Sequence, residues 1–304
     1  MKEKATQAWE FILEVFNSWS DDNCFRLSAA LSYYTLFSIA PLFVVVFAVV
    51  GLLYMDQDIS ALIFNNVYNI IGPDAASSLE SMVRNAYTGK PDSLSELMSI
   101  GLLIFSATVM MTALQGSLNT IFNVRIRADK GLIYFVLSRL LALGMMIIIG
   151  ALLVAVVVIN AVWVAIGDYL SLFLADYAFT LIETGQLVLG LATTTLLFAL
   201  LFKYLPDARI PWSSIWIGAF TTSVLFLVGK YLISFYLGNT NITSLYGAAG
   251  SIILLIVWIN YSSWIFFLGA EVVRVLARRR GQKIVPSKIA ETYRQVVELQ
   301  DTWT

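Results

Sequence analysis

The chain has no histidine. That absence removes His-ligated metals, Ser-His and Cys-His nucleophile pairs, and imidazole proton relays. It has one cysteine, Cys24, so no disulfide can form within the chain. Charge is scarce as well. Only 13% of the 304 residues are Asp, Glu, Lys or Arg, against the roughly 25% usual in soluble domains. No glycine-rich nucleotide-binding loop occurs, so ATP-driven work is not expected of these residues. The start, "MKEKATQAWEFILEVFNSW", lacks the uninterrupted apolar run and small-residue cleavage site of a signal peptide.

What fills the chain instead is apolar: 59% of its residues are hydrophobic, a membrane composition. The net charge of −1 carries little meaning here, because the location of charges matters more than their sum. A membrane-crossing helix needs about 20 mostly apolar residues. Six segments qualify: about Leu27–Leu53, Leu97–Ile121, Ile133–Ile166, Gln186–Leu201, Ser214–Leu237 and Gly250–Val275. The third is long and should tilt or project beyond the bilayer. The fourth is short, flanked by Glu183 and Lys203. Pro41 should kink the first span, unless the helix breaks there and restarts. The expected fold is all-α, a bundle of six transmembrane helices.

Basic residues set the direction. Sixteen of the 19 fall on the N-terminal segment, the second-to-third and fourth-to-fifth connections with their flanks, and the C-terminal part. The alternate connections hold only Arg84 and Lys90; Lys230 lies within a span. Under the positive-inside rule both termini are cytoplasmic. Residues 1–26 should form an amphipathic interfacial or capping helix, with Trp9, Ile12, Leu13, Phe16 and Trp19 at helical spacing. Residues 54–96 carry two amphipathic patterns around Gly72-Pro73 and should form outer-face helices. Residues 276–304 should be a basic cytoplasmic tail whose "SKIAETYRQVVELQ" is helical.

Several spans carry polar residues at helical spacing. Thr108, Thr112, Gln115 and Asn119 follow i, i+4, i+7, i+11 on the second span; Ser28, Ser32 and Thr35 match them in depth on the first; Asn260, Trp264 and Glu271 share a face of the sixth. Such side chains seldom face lipid. They either glue helices together or line a water-filled cavity open to the cytoplasm, and sequence leaves both readings standing. Glu271 lies near the depth of Arg26, Arg139 and Arg274, so an ion pair tying helix ends competes with a transport role. Lys230 lies roughly 24 Å along its span at 1.5 Å per residue. It either snorkels to the outer headgroups or faces a polar crevice; its lean toward the membrane centre and the small and polar neighbours Thr222, Ser223, Gly229 and Ser234 favour the crevice. Its partner would be Glu183, Glu96 or the hydroxyl of Tyr246.

The segments "RLSAALSYYTLFSIAPLF", "KYLPDARIPW", "LVGKYLISFYL" and "SLYGAAGSIILLIVWINYSSWIFFLGAEVVRVL" resemble the YihY/BrkB family of bacterial inner-membrane proteins along nearly the whole chain. The resemblance implies six spans with both termini inside. It also implies that Pro41, Asp207, Pro211, Lys230, Tyr246, Gly247 and Glu271 occupy family motif positions. The family has carried a ribonuclease label, alongside proposals of transport or a virulence-related role. RNA hydrolysis, with or without metal, leans on histidine or clustered acids. This chain has no histidine and its acids are scattered, so nuclease activity is rejected. The basic "RVLARRRGQK" is better explained by topology and anionic lipid than by nucleic acid. The expectation is a non-enzymatic permease of the bacterial cytoplasmic membrane, with no cofactor or metal. Its partners would be membrane lipids and a small-molecule or lipid-type substrate. The expected path residues are Lys230, Tyr246, Gln115, Asn119, Thr112, Asn260, Trp264 and Glu271. The other class is a non-transporting lipid-interacting or scaffold protein.

Overall fold

Backbone amides in hydrocarbon must bond within their own segment, and the apolar runs of this chain accordingly become helices. The computed structural model describes residues 2–53, 94–127, 129, 131–171, 175–238 and 248–293. Seven helices lie among them: α1 Lys2–Asp21, α2 Cys24–Leu53, α3 Leu94–Ile121, α4 Gly131–Ser171, α5 Ala175–Tyr204, α6 Trp212–Gly238 and α7 Ala248–Arg279. Four are long and apolar enough to cross a membrane by composition, over Ile133–Leu152, Thr184–Tyr204, Trp212–Leu232 and Ile253–Arg279. α2 and α3 are helical over 30 and 28 residues. The expected outer-face helices of 54–96 lie outside the described residues apart from the start of α3, as does the last outer connection at 239–247.

Helix ends differ from expectation in informative ways. α2 runs unbroken across Pro41, so the alternative of a break and restart is not formed. α5 begins at Ala175, but its apolar span, Thr184–Tyr204, is close to the expected Gln186–Leu201, with Glu183 just before it. α4 has 41 residues, roughly 60 Å at 1.5 Å per residue, so it outruns a hydrocarbon core of about 30 Å as its sequence suggests. α1 and α3 each end into an asparagine in the left-handed region, Asn23 with φ 53° and Asn123 with φ 55°. Asparagine tolerates that conformation better than most residues with a Cβ. α7 ends at Gly281, φ 66°, where Gln282 N–H donates to the Ala277 carbonyl at 2.9 Å, a Schellman closure.

The start of the tail differs from the helix expected of "SKIAETYRQVVELQ", whose residues 294–300 lie outside the described residues. Residues 287–293 are not helical: Ala290–Thr292 form strand β4, paired antiparallel with β1 (Val124–Ile126), and Val285–Pro286 form β3, paired with β2 (Ala208–Arg209). The connections after α3 and α5 present free backbone edges, and the tail satisfies them both. Arg125 Nε meets Glu291 Oε1 at 2.8 Å across the first ladder. α1 joins the same end of the molecule. Its Val15 packs on Val272 and Val275 of α7. Its Glu14 accepts from Arg279 Nε at 2.6 Å and from Arg278. Burial works against the Glu14 charge, but the hydrogen bonds from these two guanidiniums outweigh it and hold the carboxyl below its ordinary range. α1 leaves Trp9, Ile12, Leu13 and Phe16 exposed, as an interfacial helix does.

The interior is packed by small residues where helices touch. A Cβ on Gly269 would meet Thr222 Oγ1 at 1.7 Å, and one on Gly218 would meet Val273 at 2.2 Å. Gly229 sits against the ring of Tyr261. Positions 218, 222 and 229 thus face 273, 269 and 261 in reverse order, an antiparallel α6–α7 pair closed by missing side chains. Leu118, Met145, Phe202, Ile215 and Phe267 fill the centre, while Ile133, Phe135, Leu140, Phe220 and Leu232 point outward. That outward apolar surface is the one lipid covers. Gly269→Ala is expected to overpack this contact by about 1–3 kcal/mol. A lower melting temperature of the purified protein in detergent checks it. Thr222→Gly in the same chain, which removes the opposing atoms, should recover most of the loss.

Candidate functional site

Two primary amides one helical turn apart on a buried face require acceptors, and α3 places Gln115 and Asn119 that way. They find one carboxylate. The α5–α6 connection turns at Pro206, and Asp207 Oδ2 accepts from Gln115 Nε2 at 3.0 Å and from Asn119 Nδ2 at 2.8 Å. Asn119 closes the pair in return, its Oδ1 accepting from the Asp207 backbone N–H at 2.8 Å. The tail adds a third tie: Ser287 N–H donates to the Asp207 carbonyl at 2.9 Å. Lys203 completes the turn by donating to the Ile210 carbonyl at 2.7 Å, its ammonium over the Trp212 ring.

Beside this clamp lies a cavity of about 310 Å3 between the basic ends of α3 and α4. Gln115, Tyr134, Ser138 and Asp207 bring polar groups to its lining, the Tyr134 hydroxyl within electrostatic reach of Asp207; Leu137, Leu140, Leu141 and Ile289 form its apolar walls. Ser138 is buried on α4 and donates to the Phe135 carbonyl. Among the described residues no lysine or arginine pairs with Asp207, so the cavity carries a carboxylate with no counter-charge. Burial pushes its carboxyl up from the ordinary 3.8, and the hydrogen bonds from Asn119 and Gln115 offset this only in part.

The other expected path residues go elsewhere. Thr112 donates to the Thr108 carbonyl at 2.6 Å, within its own helix. Thr108 accepts from Arg139 Nη1 at 2.6 Å, and that guanidinium lies over the Phe105 ring. Glu271 is fully buried, its Oε2 3.0 Å from Arg274 Nε. Arg274 Nη1 donates to Asp22 Oδ2 at 2.6 Å and to the Ile121 carbonyl at 2.7 Å, so Glu271 belongs to a junction of α7, α3 and the α1–α2 turn. Trp264 is half-buried and edge-on to Phe25. Asn260 is half-buried one turn before it. Lys230 is half-buried and makes no hydrogen bond or ion pair among the described residues. Thr222 and Ser223, near its face, donate to the Gly218 and Ala219 carbonyls of α6 itself. Tyr246 and the side chains of Glu96 and Glu183 lie outside the described residues.

Sequence reasoning thus brought Gln115 and Asn119 to the site but left out Asp207 as a site residue, together with Tyr134 and Ser138. A signal for Asp207 was present: two adjacent amides on one face ask for an acceptor, and the basic connections hold few acids.

The family model described as virulence factor BrkB matches residues 15–292. The chain belongs to the BrkB family. This BrkB-family chain is also similar to curated proteins named UPF0761 membrane protein. One from Psychromonas ingrahamii is 28% identical over 289 residues, covering 90% of each chain. One from Saccharophagus degradans is 25% identical over 270 residues, 88% of this chain and 60% of that protein. One from Azotobacter vinelandii is 26% identical over 285 residues, 92% of this chain and 66% of that one. The chain therefore spans about 60% of the Saccharophagus relative's length. No solved structure matches.

The buried carboxylate of this BrkB-family chain generates a pH prediction. An acid whose native pKa is raised contributes stability that is present below its ordinary value and lost as pH rises through the native one. At neutral pH Asp207→Asn should therefore melt at or above the wild-type temperature, since its amide oxygen still accepts from Asn119 and Gln115. The difference should close as the solution is made acid. Melting curves of both proteins in detergent at neutral and acid pH check this.

Proposed function

We propose that this BrkB-family protein is a permease of the bacterial cytoplasmic membrane, built from six crossings with both termini cytoplasmic. It moves a small solute or lipid-type molecule and catalyses no covalent chemistry. The observation that carries the reading is the cavity at the basic end, with an uncompensated carboxylate in its wall. Six crossings are supported by parity. α1, the connections after α3 and α5, and the tail all meet at one end. A helix pair between each two of these segments that leaves that end and returns to it makes up the six crossings. The cytoplasmic assignment rests on the basic residues those segments carry. With no nucleotide-binding loop, the drive would be an ion gradient or the substrate's own gradient.

A scaffold or lipid-interacting role is favoured by a different set of contacts. The hydroxyls of Thr112, Thr222 and Ser223 all return to their own helices, and α6–α7 is closed by glycine contacts, as in a bundle that only holds itself together. Lys230 separates the readings. In a Cys24→Ser background, Lys230→Cys is expected to react with a small hydrophilic thiol reagent in native membranes. Ser287→Cys should react only after permeabilisation and Thr240→Cys from outside intact spheroplasts. A cysteine at 230 that is inert from both sides would favour the scaffold, and labelling of position 287 from outside would overturn the topology.

A further inference from the structure

Asp207 uses only one of its oxygens. Oδ2 takes both amides, while Oδ1 accepts no hydrogen bond among the described residues, although the side chain is nine-tenths buried and lines the cavity. The same cavity is lined by Gln115, whose Nε2 is spent on Asp207 but whose Oε1 has no donor among the described residues. Ser138 lines it too, its hydroxyl proton spent on Phe135 while its oxygen can still accept. The cavity therefore offers these three oxygen acceptors, the Tyr134 hydroxyl, which both donates and accepts, and one negative charge that no basic side chain among the described residues pairs with. An anion would meet a carboxylate. A hard divalent cation would have to keep most of its water shell on one carboxylate and two neutral oxygens, and a hydrated ion gains nothing from leucine walls. A primary ammonium has three N–H donors and one positive charge, and matches the inventory.

The walls say what carries that group. Leu137, Leu140 and Leu141 flank the acceptors, and Leu137 and Leu140 are also exposed on the outward face of α4, where lipid chains lie. A ligand seated on the acceptors can thus run an apolar portion along α4 into the bilayer. We propose that this cavity binds the primary ammonium group of an amphipathic amine, with the nitrogen on Asp207 Oδ1 and the apolar part along Leu137 and Leu140. The group could arrive on a lipid headgroup or on a free amine.

This deepens the permease reading by naming the ligand class of the same cavity, so binding is measured without transport. Purified full-length protein in detergent is titrated with dodecylamine, dodecyltrimethylammonium and dodecanol, with melting temperature and native mass spectrometry as readouts. Dodecylamine should bind wild type at least about tenfold tighter than either analogue, and Asp207→Asn should remove that preference. Equal binding of amine and alcohol, or a preference that survives Asp207→Asn, overturns the site. Should that variant fail to fold, the amine-over-quaternary preference in wild type still decides. Retention of phosphatidylethanolamine over phosphatidylglycerol in native mass spectrometry identifies a lipid headgroup as the source. Binding of ethanolamine alone identifies a soluble amine. A protein that binds the amine yet passes the labelling tests of a closed scaffold would sink the permease and leave the ammonium site standing.

Discussion

One carboxylate organises the basic end of this protein. Water is scarce where α3 meets the α5–α6 connection, so every polar group there needs a protein partner or costs about 1–3 kcal/mol. Asp207 is the partner of two amides, and Asn119 is the partner of Asp207's own N–H. Removing Asp207 would orphan the amides; removing Asn119 would leave a buried charge and a buried N–H. The connection is therefore pinned against α3, and its pinned carbonyl can receive the tail through Ser287. The cavity lies between this clamped connection and the start of α4.

A second junction works by the same rule with opposite resources. Arg274 donates to Asp22 and to the Ile121 carbonyl and places its charge 3.0 Å from Glu271 Oε2, joining α7 to α3 and to the turn between α1 and α2. Breaking a buried pair of this kind is costly because the remaining charge stays in place. Away from these junctions α4 is tied to the middle of α3 through Arg139 and Thr108, while α6 meets α7 through glycines. Polar ties thus hold the ends and one point along α3, and close packing holds the α6–α7 pair.

Much of this was legible in the chain. Apolar runs and basic asymmetry indicate a helical membrane bundle with its basic segments gathered at one end, and the motifs point to the family. The periodic stripe through Gln115 and Asn119 identified one wall of the site. The pairing of that stripe with Asp207 was not legible, because residues so far apart in sequence are joined only by the packing of α3 on the connection after α5. The first part of the tail, 287–293, was misread for a related reason. "SKIAETY" has helical character in isolation, yet unpaired edges at Val124–Ile126 and Ala208–Arg209 offer it ladder hydrogen bonds, and tertiary pairing overrides local preference. Glu271 allowed two readings, and its contacts are those of an ion pair at helix ends. Lys230 stays legible in depth only, since its proposed partners lie outside the described residues.

The central claim is that Asn119 and Asp207 act as one unit that holds the basic end together. A double-mutant cycle tests it most directly: Asn119→Leu, Asp207→Leu and the double variant, each compared with wild type for unfolding free energy in detergent. The account predicts a coupling of roughly 1–3 kcal/mol, because the second substitution removes a group that the first had already stranded. Additivity to within about 0.5 kcal/mol would mean that the two residues stabilise the protein independently, and would contradict the clamp.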